Sequence, residues 1–317
     1  FKIIRFNFER SFQTNLYAML TQRQSTMVAG FSFVLWGLLP LYYQFLPGAV
    51  PDELLSIRLI ATLPLTFILV LVIKKRAPSF TKLACDISSL YFTFAASITM
   101  SISWVAFTWA LTTDRVIEAS LGFFISPITM MLLGVFFLKE KLTFSQKLTL
   151  FFACAGLLYQ VIHYQAVPFI SLTMAIFFTL YGWCKKKSKY SWSEGLYMEA
   201  IVLFPFALIY LIYKDHNYGL SITNAHSLDL FLYIGSAMVT LLPLIFYSIA
   251  IRQTPISTIG LMQYIEPSIQ FFLAIYLFSE AFDQVKTVSF GLIWFGLSLT
   301  IIDEMRSMKS PSLNRNT

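Results

Sequence analysis

This sequence has little charge: 12% of its 317 residues are Asp, Glu, Lys or Arg, against about 25% in ordinary soluble domains. The hydrophobic share is correspondingly large, at 57%. A soluble fold of this size has no interior that could hide so much apolar surface, so an aqueous globular protein is excluded. Disorder is excluded for the same reason, because so apolar a chain does not stay solvated. Cysteine is scarce as well. Cys85, Cys154 and Cys184 are too few and too scattered for a disulfide framework or a metal site. The chain carries no H-E-x-x-H, G-x-S-x-G or P-loop pattern, so neither catalysis of those kinds nor a cofactor is expected.

What is present is a series of long apolar runs at 27–46, 54–73, 87–111, 116–138, 144–163, 168–184, 194–213, 229–250, 257–278 and 285–303. About 20 residues of helix cross the roughly 30 Å of bilayer hydrocarbon, so each run is long enough, or nearly so, to span it. Lipid satisfies no loose backbone group, and the runs lack the alternation of a membrane β-barrel, so helix is the form they must take. The predicted fold class is an all-α integral membrane protein with ten transmembrane helices. Residues 1–26, basic and aromatic, precede them as a cytoplasmic segment that either lies on the inner leaflet or serves as a dispensable leader. Residues 304–317 follow as a cytoplasmic tail.

The +7 net charge reads as a topology signal, because cytoplasmic loops collect Lys and Arg. With the N-terminus inside, the clusters Lys74, Lys75 and Arg76, then Lys139 and Lys141, then Lys185, Lys186, Lys187 and Lys189 all fall in inner segments. Arg115, Lys214 and Lys286 are left outside, and Arg58 within a run. This asymmetry predicts both termini in the cytoplasm. It also accounts for the basic balance without a nucleic-acid partner; the partners expected are the lipid bilayer and a small-molecule substrate, with a monomer and a homodimer equally compatible.

The two halves of the chain repeat. A shift of 140 carries Leu121, Ile125, Pro127 and Glu140 onto Leu261, Ile265, Pro267 and Glu280, and a shift of 141 carries Glu53 and Pro64 onto Glu194 and Pro205. The halves, 27–163 and 164–303, hold five runs each. Five is odd, so the second half enters the membrane inverted. Inverted repeats that meet near the midplane are a recurring design of secondary transporters, which expose one central site to either side in turn.

Candidate transport residues are the polar groups inside apolar runs. Pro127 and Pro267 each remove a backbone N–H, so both helices are expected to bend and free carbonyls near Phe123 and Gln263. Glu266, directly before Pro267 and near the midplane, is the first choice for cation binding or proton coupling, with Ser126 as its repeat mate and Gln263 one turn behind. Arg58 and Glu199 lie only ~6–8 Å from opposite faces of the core. They are therefore expected to serve one vestibule each, Arg58 for carboxylate outside and Glu199 for ammonium inside, rather than to pair. Glu140 and Glu280 end their runs, against the helix dipole, and need a base or a neighbouring helix N-terminus; both read as structural. Trp36, Tyr42, Trp104, Trp109, Tyr181 and Tyr264 stand beside polar or small residues and are candidates for a cavity wall.

The stretches "LWGLLPLYY" (35–43), "EASLGFFISPITMMLLGVFFLKEKL" (118–142), "SEGLYMEA" (193–200) and "LMQYIEPSIQFFLAIYLFSE" (261–280) resemble the RarD-like branch of the drug/metabolite transporter superfamily, built from two EamA repeats. The resemblance covers about 27–303. It implies a bacterial inner-membrane carrier with ten helices, a central cavity and no enzymatic activity. RarD-like members from obligate intracellular bacteria are similar to carriers that exchange S-adenosylmethionine for S-adenosylhomocysteine, and that cargo, with its sulfonium and adenine ring, suits carboxylate and aromatic walls. Against it stand an exporter of drugs or amino acids with the same fold and, from other classes, a membrane receptor or a lipid-modifying enzyme.

Overall fold

The computed structural model describes residues 20–46, 48–78, 83, 85–113, 115–165, 169–224, 227–277 and 283–309. Glu280 and most of the 1–26 segment and the 304–317 tail lie outside them. The described residues form helices and no strand. In chain order these are α1 (Gln22–Gly37), α2 (Leu39–Tyr43), α3 (Pro51–Lys74), α4 (Ile87–Thr112), α5 (Val116–Phe136), α6 (Phe144–Tyr164), α7 (Phe169–Lys187), α8 (Trp192–Tyr218), α9 (Ser227–Ala250), α10 (Ile256–Gln263), α11 (Ile265–Tyr276) and α12 (Gln284–Lys309). Seven described segments are long and apolar enough to cross a membrane: α1 with α2, α3, α4, α5, α8, α9 and α12. The other three apolar runs fold as α6, α7 and the broken pair α10–α11.

Polar caps set the helix starts. Thr21 and Gln24 form a capping box that begins α1 ahead of Met27, and Thr143 with Gln146 does the same for α6. Asp86 opens α4 by accepting from Ser89 N at 3.1 Å and Ser89 Oγ at 2.8 Å. Caps lie outside an apolar run, so helices overrun the limits that hydrophobicity alone gives. The same overrun carries α7 through Lys185, Lys186 and Lys187, and α12 on to Lys309.

Breaks fall at two places. α1 ends at Gly37 and α2 restarts with Pro40 at its second position; α10 ends at Gln263, with Tyr264 between it and α11. Of the two helices expected to bend at Pro127 and Pro267, the second is broken at Tyr264, three residues before its proline, whereas α5 stays helical through Pro127. Gly260 of α10 lies so close to the Pro127 carbonyl that a Cβ there would sit 2.8 Å from the oxygen. α10 therefore packs directly against the backbone of α5 at Pro127.

Helices pack in matched sets: α3 on α8, α5 on α10, α6 on α12, α4 on α7 and α1 on α9. Between α6 and α12, Thr149 Oγ1 donates to Gly296 O at 2.6 Å, and Ser289 Oγ donates to Gly156 O at 2.9 Å. Thr149 and Ser289, like Gly156 and Gly296, stand 140 apart in sequence. Both glycines are needed for the approach: a Cβ on Gly156 would meet Ser289 O at 2.9 Å, and one on Gly296 would meet Thr149 Cα at 2.9 Å. Gly156→Val and Gly296→Val should each cost about 1–3 kcal/mol by overpacking. The check is a lowered melting temperature for each in detergent; unchanged melting would show that the contact gives way freely.

The α3–α8 pair is tied at both ends. Lys74 pairs with Glu194 at the lysine-rich end of the bundle, and Lys214 Nζ lies 2.7 Å from Asp52 Oδ2 and 3.2 Å from Glu53 Oε1 at the lysine-poor end. Glu53 and Glu194 are the residues that the 141-residue shift superposes.

Candidate functional site

A cavity of about 250 Å³ lies on the lysine-poor side of the middle of the bundle. Trp36 and Tyr43 enter it from the α1–α2 break, Arg58 from α3, Ser103 and Trp104 from α4, Ser126 from α5, and Gln263 and Glu266 from either side of the α10–α11 break. Gly37 allows this assembly, since a Cβ there would lie 2.8 Å from Ile269 Cβ and 3.2 Å from Glu266 O. The two helix breaks thus meet at Glu266.

Charges in the cavity are under-compensated. Arg58 Nη1 makes long bonds to Tyr43 Oη (3.3 Å) and Thr240 Oγ1 (3.5 Å), its Nε has no partner, and its guanidinium lies 4.8 Å from the centre of the Trp104 ring. No carboxylate lies within ion-pair distance of it among the described residues. Glu266 is 8% exposed and takes one long bond, 3.4 Å from Gln270 Nε2. Gln263 Nε2 donates to Ser126 Oγ at 2.8 Å, leaving Gln263 Oε1 buried without a donor. One cation, one carboxyl and one free amide acceptor therefore face a common space with aromatic walls. Such an arrangement receives a molecule carrying both signs of charge.

Towards the lysine-rich end the path is closed. Phe33, Trp36, Phe178, Tyr181 and Tyr247 form a continuous aromatic layer, with the Tyr181 and Tyr247 rings stacked at 5.9 Å. Beneath it Lys185 Nζ meets Glu199 Oε1 at 2.5 Å, and Tyr181 Oη donates to Glu199 Oε2 at 3.4 Å.

Of the residues singled out from the sequence, Glu266, Gln263, Ser126, Arg58, Trp36 and Trp104 come together in this cavity. Glu199 and Tyr181 lie outside it; they border a narrow gap of about 30 Å³ together with Arg58 and Trp104, so Arg58 and Glu199 do not serve separate vestibules, and Glu199 is held by Lys185 rather than left as a free charge. Lys185 hides in sequence within a basic run just beyond the apolar stretch 168–184, and it falls one turn after Tyr181 on the same helix. Trp109 is 52% exposed on the outside of α4, where Arg115 lies 5.8 Å from its ring. Tyr264 packs with Phe124 and Phe290 away from the cavity, and Tyr42 Oη donates to Leu232 O at 2.5 Å. Tyr43, Thr240 and Gln270 escaped notice; Gln270, one turn beyond Glu266, was the most accessible of them.

Glu140 accepts from Ile256 N and Ser257 N, both at 2.9 Å, and from Ser257 Oγ at 2.7 Å. It compensates its own unfavourable place at the end of α5 by binding the positive N-terminus of α10. Glu140→Ala leaves two backbone donors without partners and should cost about 1–3 kcal/mol, with Glu140→Gln intermediate. Melting curves of the two variants in detergent decide it, and equal curves for wild type and Glu140→Ala would remove the assignment.

The EamA-like transporter family matches residues 25–162. Protein RarD of Escherichia coli (strain K12) is 32% identical over 92% of this chain and 98% of its own length. The uncharacterized transporter YojE of Bacillus subtilis (strain 168) is 30% identical over 90% of this chain and 95% of its own. A crystal structure of another protein superposes with a TM-score of 0.68 at 13% identity, over 88% of this chain and 98% of that one, a likeness of fold alone. With an all-helical, multi-pass architecture and relatives of this similarity along nearly its whole length, the chain belongs to the RarD-like branch of the EamA-type drug/metabolite transporters.

Proposed function

We propose that this protein is an alternating-access carrier, not an enzyme, that moves a small zwitterionic metabolite. Its two inverted five-helix halves, 27–163 and 164–303, give ten crossings with both termini in the cytoplasm. The observation that carries the reading is the shared cavity of an uncompensated Arg58 and a buried Glu266. Arg58 takes the cargo's carboxylate and Glu266 its cationic group. The mirrored contacts of Thr149 with Gly296 and of Ser289 with Gly156 support the two halves, and the lysine clusters support the orientation. In this conformation the site opens to the outside and is shut towards the cytoplasm.

S-adenosylmethionine entering in exchange for S-adenosylhomocysteine is the cargo pair we favour, since it offers a carboxylate, positive charge and a planar ring for Trp36 and Trp104. A smaller zwitterion such as an amino acid is the second reading. The cavity volume favours it, being below the ~300 Å³ at which small-molecule pockets usually begin. A relative in Pseudomonas aeruginosa, 25% identical, is named chloramphenicol-sensitive protein RarD, which keeps drug export as a third.

Proteoliposomes separate these. Labelled S-adenosylmethionine should accumulate when the interior holds S-adenosylhomocysteine and not when it is empty. Counterflow of amino acids alone would replace the cargo and keep the carrier; net export without exchange would favour the drug reading. Glu266→Gln should weaken binding of the cationic cargo at least about tenfold, the loss of roughly 1.4 kcal/mol from one charged contact. Unchanged affinity would remove Glu266 from the site.

A further inference from the structure

A second space, about 480 Å³, lies outside the central cavity between α4 and α8, with α3 as its floor. Its walls, Val105 and Trp109 from α4 with Phe206 and Tyr210 from α8, are exposed side chains on membrane-crossing helices, so the groove opens sideways to lipid. Its floor includes the buried Leu55 and Leu203. Leu59 and Leu203 also border the narrow gap that leads to Arg58 and Trp104, and so separate this groove from the central cavity.

Two residues that line this apolar groove each carry a polar atom without a partner. Asp52 Oδ1 is buried and unbonded, although Oδ2 takes Lys214 at 2.7 Å and Tyr210 at 2.5 Å. Ser101 Oγ is likewise buried and unbonded. Asp52 marks the lysine-poor end of the groove. Ser101 sits eleven residues short of the end of α4, some 16 Å deeper at the helical rise. A buried polar atom without a partner costs about 1–3 kcal/mol, which favours an occupant that supplies the missing bonds. The charge balance names its head group: Arg115, over Trp109, is paired with Glu118, and Asp52 and Glu53 share the ammonium of Lys214, which leaves one negative charge at the mouth.

We propose that this groove binds an amphipathic amine drawn from the adjacent leaflet, its ammonium on Asp52 Oδ1 and its apolar body between α4 and α8 towards Ser101. An anionic lipid is disfavoured by the same carboxylate, and a neutral chain leaves the charge uncompensated. The site does not depend on what the central cavity carries.

The test uses the full-length protein in phosphatidylcholine nanodiscs and a dansyl-tagged undecylamine, with energy transfer from tryptophan read above the partition background of empty discs. Saturable binding is expected, at least tenfold weaker in Asp52→Asn and lost in Ala207→Trp, whose indole fills the groove. Ser101→Ala, which leaves the Lys214 ion pairs untouched, should weaken it by a smaller factor and guards against misfolding of the other two. Arg58→Gln should leave it unchanged, which separates this site from failure of the transport reading. Transfer no greater than in empty discs overturns the proposal. Equal binding of the matching undecanoic acid probe, or no response to any of the three groove variants, also overturns it, and would mean that the groove takes an ordinary acyl chain.

Discussion

Arg58→Gln should reduce counterflow of a zwitterionic cargo by about a hundredfold or more while leaving the melting temperature of the empty protein at or above that of wild type. The two halves of that expectation come from one observation. Among the described residues Arg58 has two long hydrogen bonds, a ring face and no carboxylate, so its desolvation is poorly repaid and removing it relieves the fold. On the proposed reading, the guanidinium takes its carboxylate from the cargo. Truncating one partner of a buried, hydrogen-bonded charge pair costs about 2–5 kcal/mol, and each 1.4 kcal/mol is roughly tenfold in affinity. Arg58→Lys keeps the charge but loses the planar fork and the stacking on Trp104, and should fall between. Affinity and counterflow are measured on the same preparations. A stable Arg58→Gln protein that transports at the wild-type rate would mean that the carboxylate binds elsewhere.

Much of this site was legible because a charge inside an apolar run has few reasons to be there. Arg58 and Glu266 stand out on that ground alone, and Ser126 and Gln263 follow from their spacing to Glu266 and Pro267. Aromatic walls are the opposite case. Phe107, Phe123 and Phe178 line the cavity, but among 32 phenylalanines no local signal separates them from those that face lipid. For the same reason Trp109 and Tyr264 looked equivalent to Trp36 and Trp104 until the helices were oriented. The apolar runs located the helices, since burial in lipid dictates them. The break at Gly37 was not read, because it depends on how closely Ile269 and Glu266 approach from α11. Hydropathy gave no hint of Lys185's role: the apolar run 168–184 stops short of four lysines in five positions, whereas α7 continues through Lys187 and turns one of them inward.

That inward lysine makes the second large prediction. Lys185 and Glu199 are both nearly buried, with side-chain exposures of 7% and 13%, and they sit under the stacked Tyr181 and Tyr247. Lys185→Met removes the cation and leaves Glu199, among the described residues, with the 3.4 Å bond from Tyr181. Breaking a buried pair in this way costs about 3–5 kcal/mol, because the surviving charge stays desolvated and uncompensated. The closed lysine-rich end should open to let water reach Glu199, and Cys184 reports it. Cys184 is 5% exposed, next to Lys185 in sequence, and should be unreactive to a polar maleimide in a protein whose exposed Cys85 and Cys154 are replaced by serine. Lys185→Met should make it react. The double variant Lys185→Met, Glu199→Leu removes both charges together, so stability and protection of Cys184 should both return. Recovery of stability without wild-type transport would assign the pair to closing the lysine-rich end. Recovery of both would make it a packing feature, and continued protection of Cys184 in Lys185→Met would show that the aromatic layer alone keeps that end shut.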